Sequence, residues 1–221
     1  MPHNFDSGLD PVLDPDLDHI ASLIANHPSG NTRLMVAIAG APASGKSTLS
    51  ERLYHHLGGD EAGVAIVPMD GFHFDDAILR ARGDLARKGA PHTFDVGGFA
   101  RCLEAIKRDD ADIYVPVFDR NLELSRGSAR CISKAHRIIL VEGNYLLLDQ
   151  APWKDLISPL LDLTLFLDIP LTVLEERLID RWHQQGFDTE TAKQRALGND
   201  IPNARTVQNH SRPPDHIIRL L

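Results

Sequence analysis

The chain has 221 residues, 43% of them apolar and 24% charged, which suits one α/β domain with a short appendage and excludes wholesale disorder or a fibrous repeat. Its 31 acidic residues outnumber 23 basic ones for a net charge of −8, and Asp6, Asp10, Asp14, Asp16 and Asp18 all precede Arg33, the first basic residue. An acidic chain without a Lys/Arg stripe is poorly built for nucleic acid, and the lack of an apolar run of ~18 residues or a basic-then-apolar leader points away from membrane or secretion and towards the cytoplasm.

Asp14-Pro15 pairs a helix N-cap with proline at the first helical position, and Leu17, Ile20, Ala21 and Ile24 follow at helical spacing, predicting a short N-terminal helix broken at His27-Pro28-Ser29-Gly30-Asn31. Residues 34–39 form an apolar run before glycine, as expected of a strand buried on both faces, and 47–57 read as a helix stopped by Gly58-Gly59. Apolar runs at 64–67, 113–117, 137–141 and 163–167 alternate with helical stretches at 96–108 and 171–185, which predicts a parallel sheet covered by helices. Residues 122–134 interrupt the alternation and suggest a hairpin around Arg126-Gly127. A last helix from Asp188 towards Gln208 and a strand near 216–220 close the chain. The expected organisation is an N-terminal helix and linker, 1–32, before one domain, 33–221; the extra helix could cover a sheet edge or mediate a homodimer. Cys102 and Cys131 lack C-x-x-C spacing and read as buried thiols in a reducing compartment, and the 11 histidines show no metal-ligand spacing.

Gly40-Ala41-Pro42-Ala43-Ser44-Gly45-Lys46-Ser47, followed by Thr48, matches G-x-x-x-x-G-K-[ST] between a predicted strand and a predicted helix. A random chain of this length would carry the pattern roughly once in a hundred trials. Backbone N–H groups of such a loop curl around phosphate oxygens, Lys46 reaches the β- and γ-phosphates, and Ser47 holds Mg²⁺. The guanine-specifying N-K-x-D and the transporter signature L-S-G-G-Q are absent, leaving an ATP-dependent kinase as the best class. Asp70, just past the strand at 64–67, is the candidate base, since open parallel sheets bind ligands beyond their strand ends; as part of Asp70-Gly71 it could instead only cap a turn. Glu142 ends the strand at 137–141, where a carboxylate could hold Mg²⁺ through water or merely pair with a cation. Arg177 and Arg181 share one helix face and could stabilise charge on the transferred phosphoryl group from a lid, or form an ordinary charged surface. The loops 87–95 and 116–120 could supply acceptor contacts.

Together these motifs resemble the uridine kinase, phosphoribulokinase and bacterial pantothenate kinase class, from about Arg33 to the C-terminus. Met69-Asp70-Gly71-Phe72-His73, the Arg87–Asp95 stretch, Pro116–Asp119, Val141-Glu142-Gly143-Asn144-Tyr145 and Gly198-Asn199-Asp200 with Asn203-Ala204-Arg205 are similar to the fructose transport system kinases, or fructokinases. The resemblance implies a three-layer α/β/α fold with a mainly parallel sheet and a helical lid, using ATP and Mg²⁺ on a small-molecule hydroxyl. It makes Asp70 the base, has Lys46, Arg177 and Arg181 stabilise charge, and places His73, His92, Asp95, Asp119 and Arg120 near the acceptor. Asn203 and Arg205 would lie near adenine or serve a capping or surface role. Where uridine kinases carry a pyrimidine-contacting Tyr-Asp-Phe and a histidine, this chain has Phe118-Asp119-Arg120-Asn121-Leu122, so fructose leads, with a nucleoside or pantothenate as alternatives. A regulatory ATPase module is the rival of another class.

Overall fold

A computed structural model describes residues 16–28 and 32–219. The Asp14-Pro15 cap, the linker residues 29–31 and the last residue of the expected final strand lie outside that range. Helix α1 spans Leu17–Ala25 and is capped by Asp16, which accepts a hydrogen bond from the His19 N–H. The chain continues through β1 (Leu34–Gly40), α2 (Lys46–His56), β2 (Val64–Pro68), a 3₁₀ turn (Met69–Phe72) and α3 (Asp76–Arg82). Next come α4 (Val96–Arg108), β3 (Ile113–Asp119), β4 (Leu124–Ile132), β5 (Ile138–Gly143) and α5 (Trp153–Leu156). It ends with β6 (Leu163–Asp168), α6 (Leu171–Gln184), α7 (Thr189–Arg195), α8 (Ile201–His210) and β7 (His216–Arg219).

The main sheet has five parallel strands in the order β2-β5-β1-β6-β7. All seven β1 residues are buried because both faces are covered. Met35, Ala37 and Ala39 face a core shared with Phe99 and Leu103 of α4 and with Trp153. Leu34, Val36 and Ile38 face a second core with Leu49 and Leu53 of α2 and Leu174 and Leu178 of α6. Period-two alternation along one strand therefore serves two helical layers. Ile20 and Ile24 of α1 join the second core, and His56 of α2 lies 3.1 Å from Asp18. Arg33, fully buried, bonds the carbonyls of Ile106 and Ser133 at 2.8 Å each, tying the start of β1 to α4 and to the turn before β5.

Four expectations are corrected. Cys131, expected to be a buried thiol, is exposed, and Cys102 is only partly buried. Residues 113–117 leave the parallel sheet: β3 pairs only with β4, antiparallel, with an irregularity between Val115 and Val117. Pro116 sits there without an N–H for a ladder, and only Val115 of β3 is fully buried, so the ribbon offers one face to the core and one to solvent. The hairpin turns at 120–123, where Asp119 Oδ1 accepts the N–H groups of Asn121 and Leu122, while Arg126 and Gly127 lie inside β4. The final helix is two helices, α7 and α8, joined by a π-helical turn over Ala196–Asp200.

Candidate active site

Adjacent parallel strands deliver their carboxyl ends to one edge of the sheet, and the site collects there. In the register, Glu142 of β5 pairs with both Ile38 of β1 and Pro68 of β2, so the phosphate loop after β1, Asp70 after β2 and Glu142 itself are neighbours. The phosphate loop opens at Gly40, where a Cβ would lie 2.8 Å from Ser44 Oγ and 3.1 Å from the Leu167 carbonyl, so the turn needs the bare α-carbon. Ser44 Oγ is buried without a hydrogen-bond partner, as expected of a cradle built to receive an anion. Gly45 precedes α2, Thr48 is exposed in its first turn, and Lys46 Nζ donates to the Ala41 carbonyl at 2.9 Å.

Burial pulls the Lys46 ammonium down to about 8, against the raising influence of Glu142 and Asp70. Burial likewise raises the Glu142 carboxyl, helped by the charge of Asp70 and opposed by Lys46 and a hydrogen bond from Ser47. Ser47 Oγ donates to Glu142 Oε2 at 3.1 Å. A hydroxyl and a carboxylate side by side at the phosphate loop are the hard oxygen donors that Mg²⁺ takes alongside nucleotide phosphates and water.

Asp70 sits in the 3₁₀ turn, and Arg120 at the hairpin turn holds its Oδ2 at 3.3 Å. The turn can approach the ribbon because residue 71 is glycine: a Cβ there would come within 2.3 Å of the Pro116 carbonyl. His73 places its Nδ1 2.8 Å from the Asp70 carbonyl, which can only accept, so the proton is on Nδ1 and Nε2 carries the lone pair. Burial lowers the His73 pKa, keeping the ring neutral, and the ring packs at 4.0 Å from Phe94 and 5.0 Å from Phe118. Between α2, the end of β2 and the hairpin lies a cleft of about 150 Å³, lined among others by Ser47, Asp70, Phe118, Arg120 and Glu142.

On α6, Arg177 donates to the Ala43 carbonyl of the phosphate loop at 3.3 Å. Arg181 acts electrostatically on Lys46 and on Asp200, and its Nε is buried without a hydrogen-bond partner. Both arginines therefore face the phosphate loop rather than solvent.

Other expected residues stay outside the cleft lining. His92 is half exposed beside Asp84 at 3.5 Å, Asp95 caps α4 by accepting the Gly98 N–H, and Asp119 holds the hairpin turn and pairs with Arg126 at 3.3 Å. Each is consumed by local geometry that chain-order motifs do not reveal. Asn203 is buried on α8, its amide nitrogen 4.0 Å from where a Cβ of Gly89 would sit. Three polar lining residues escaped the sequence reading, Ser50, Glu51 and Arg130. Ser50 lies three residues after Ser47 and so on the same face of α2, a readable signal. Arg130 reaches the cleft from β4, donating to the Ile66 carbonyl at 2.8 Å, and only the hairpin register reveals that.

A phosphate loop at the switch point of a parallel α/β sheet, with a carboxylate across the cleft and arginines above it, defines a nucleotide-dependent phosphotransferase. No protein-family model matches the chain. The chain is 33% identical over 199 residues to "Putative uridine kinase C227.14" of Schizosaccharomyces pombe, covering 86% of this chain and 84% of that one. It is 31% identical over 212 residues to the uncharacterised YggC of Escherichia coli, covering 95% and 86%. A solved structure of a "putative fructose transport system kinase" from Silicibacter sp. TM1040 superimposes with a TM-score of 0.86 at 39% identity, covering 91% of this chain and 98% of that one. The chain belongs to the P-loop kinases of the uridine kinase type, and it is an ATP-dependent phosphotransferase with a hydroxyl acceptor. Among the described residues no helix is long and apolar enough to cross a membrane.

Proposed function

We propose that the chain transfers the γ-phosphoryl group of ATP to a hydroxyl of a small sugar-like acceptor, with fructose the leading candidate. The observation that carries this reading is Asp70 just past the carboxyl end of β2, lining with Phe118 and Arg120 the same cleft that Ser47 of the phosphate loop enters. The name of the Silicibacter relative supports fructose within that class.

Asp70 accepts the proton of the acceptor hydroxyl and orients its oxygen in line with the γ-phosphorus. Arg120 holds one carboxylate oxygen; among the described residues the other has no hydrogen-bond partner, so it is available to the hydroxyl. Lys46 and the backbone of residues 40–47 grip the β- and γ-phosphates; Ser47 and Glu142 would hold Mg²⁺, which would supply neutralising positive charge to the phosphates. Arg177 and Arg181 face the charge that builds on the moving phosphoryl group. His73, neutral and packed against Phe94 and Phe118, braces the Asp70 turn by donating its Nδ1–H to the Asp70 carbonyl.

The test is ADP release from Mg·ATP with fructose, other hexoses and pentoses, uridine, cytidine and pantothenate in turn, with Asp70→Asn as control. Stimulation by a hexose that disappears in the variant is the expected result. Acceptor-independent turnover unchanged by Asp70→Asn would overturn the reading in favour of a regulatory ATPase.

A further inference from the structure

Lys88 lies between the first-described parts of the site and belongs to none of them. Its side chain is 18% exposed, and its Nζ donates to Asp76 Oδ1 of α3 at 2.8 Å, to the Glu123 carbonyl at 2.9 Å and to Glu123 Oε2 at 3.4 Å. An ammonium has three donors, and all three are spent. The nitrogen also stands 5.2 Å from the centre of the Phe118 ring, which lines the cleft. Lys88 is thus saturated by protein and built to hold the hairpin turn rather than to meet a ligand.

The backbone of the same residue is held from the opposite side. Asn199 in the π-helical turn donates its Nδ2–H to the Lys88 carbonyl at 2.8 Å, and Arg87 reaches the Gly198 carbonyl at 3.4 Å. The next residue, Gly89, has its carbonyl bonded by Tyr145 Oη at 2.6 Å. The π-helical turn is fastened to α6: Asp200 accepts from Trp182 Nε1 at 2.7 Å and faces the charge of Arg181. Helix α6 in turn touches the phosphate loop through Arg177. Lys88 is therefore the crossing point between the arginine-bearing helix and the hairpin that carries Phe118 and Arg120.

A two-stranded ribbon is marginal on its own, so its pose depends on what grips it. The tip of this hairpin is gripped by Lys88, and the residues it presents are one wall of the cleft. We infer that Lys88 is a positioning residue of the acceptor site, linking the hairpin to α6 so that nucleotide bound under Arg177 and Arg181 tightens the acceptor cleft. The inference rests on the reading that the cleft at Asp70 takes the acceptor. Linkage makes the effect reciprocal: acceptor tightens nucleotide by the same factor.

Amide hydrogen exchange reads the link without any acceptor. In the wild type, Mg²⁺ with the non-hydrolysable analogue adenylyl imidodiphosphate slows exchange at the phosphate loop and also in residues 113–132. Lys88→Met, which keeps the stem on Phe118 but removes the ammonium, and Asn199→Ala, which removes the other half of the link, each lose the hairpin protection and keep that of the phosphate loop. Lys88→Arg restores it. With D-fructose as the kinetic probe, Lys88→Met raises the acceptor KM at saturating ATP about tenfold, equivalent to ~1.4 kcal/mol, raises the ATP KM at saturating D-fructose by the same factor, and leaves kcat and the Mg·ADP affinity measured without acceptor near wild type. Hairpin protection absent in the wild type, or persisting in both variants, overturns the inference. Fructose inert with the wild type, or turnover indifferent to Asp70→Asn, strikes the acceptor reading instead and leaves hydrogen exchange to judge the link.

Discussion

At the residue scale, burial tunes the ionisable groups of the site, pulling Lys46 and His73 down and pushing Glu142 up. Asp70→Asn preserves shape and the contact with Arg120 while removing the proton acceptor; acceptor phosphorylation is expected to fall by ~10²–10⁴-fold. Nucleotide affinity, measured by titration calorimetry with Mg·ADP, stays at the wild-type value, because Asp70 belongs to the acceptor side. Lys46 gives a pH signature. Its ammonium titrates at about 8 because burial outweighs the attraction of Glu142 and Asp70. Bound phosphates favour the charged form and raise that value, so between about 8 and the raised value the complex holds a proton that the free enzyme lacks. Mg·ADP binding near pH 8.5 is therefore accompanied by proton uptake, seen as a buffer-dependent binding enthalpy that shrinks towards pH 7, where Lys46 is already protonated. Lys46→Met abolishes that buffer dependence along with most of the affinity. The same shift has a stability sign: between about 8 and the ordinary lysine value of 10.5 the unfolded chain binds more protons at this position, so Lys46 makes the ligand-free fold more stable as pH rises through that window.

At the scale of elements, the phosphate loop and the strand ends were legible because their function is local: a motif eight residues long sits between a strand and a helix that periodicity announces. Lys46, Ser47, Asp70 and Glu142 fall together because parallel register aligns strand ends, a rule that acts across the sheet without needing side-chain detail. The hairpin was not legible in the same way. Residues 113–117 are as apolar as a sheet strand, and their departure depends on Pro116 and on pairing with a β4 segment whose pattern is mostly exposed. Arg130 and the Lys88 link follow from that pairing, so neither could be read before it. His92, Asp95 and Asp119, expected near the acceptor, stand beside Asp84, at the start of α4 and in the hairpin turn, outside the lining of the cleft. The bare α-carbon of Gly71 is what lets the Asp70 turn dock on the ribbon. Gly71→Ala forces a Cβ against the Pro116 carbonyl, and overpacking of this kind costs ~1–3 kcal/mol. The expected result is a lower melting temperature and a raised acceptor KM, with the ATP KM retained.

For the whole molecule, two cores on opposite faces of one sheet divide the labour. The face bearing α2 and α6 also receives α1, through Ile20 at 4% and Ile24 at 2% exposure. Ile24→Ala should cost ~2–4 kcal/mol in urea unfolding, the range for emptying a buried aliphatic site, whereas a mere appendage would leave the midpoint unmoved. The other face carries α4 and α5 and anchors the hairpin through Val115 and Ile132.

The ribbon of residues 113–132 is one uninterrupted stretch of chain that shares no hydrogen-bond ladder with the five-stranded sheet. On the proposed reading, donor handling is written into β1, β5 and α6, and one wall of the acceptor cleft, Val117, Phe118, Arg120 and Arg130, into this separate ribbon, so substitutions confined to it alter that wall and leave the phosphate loop and its sheet as they are.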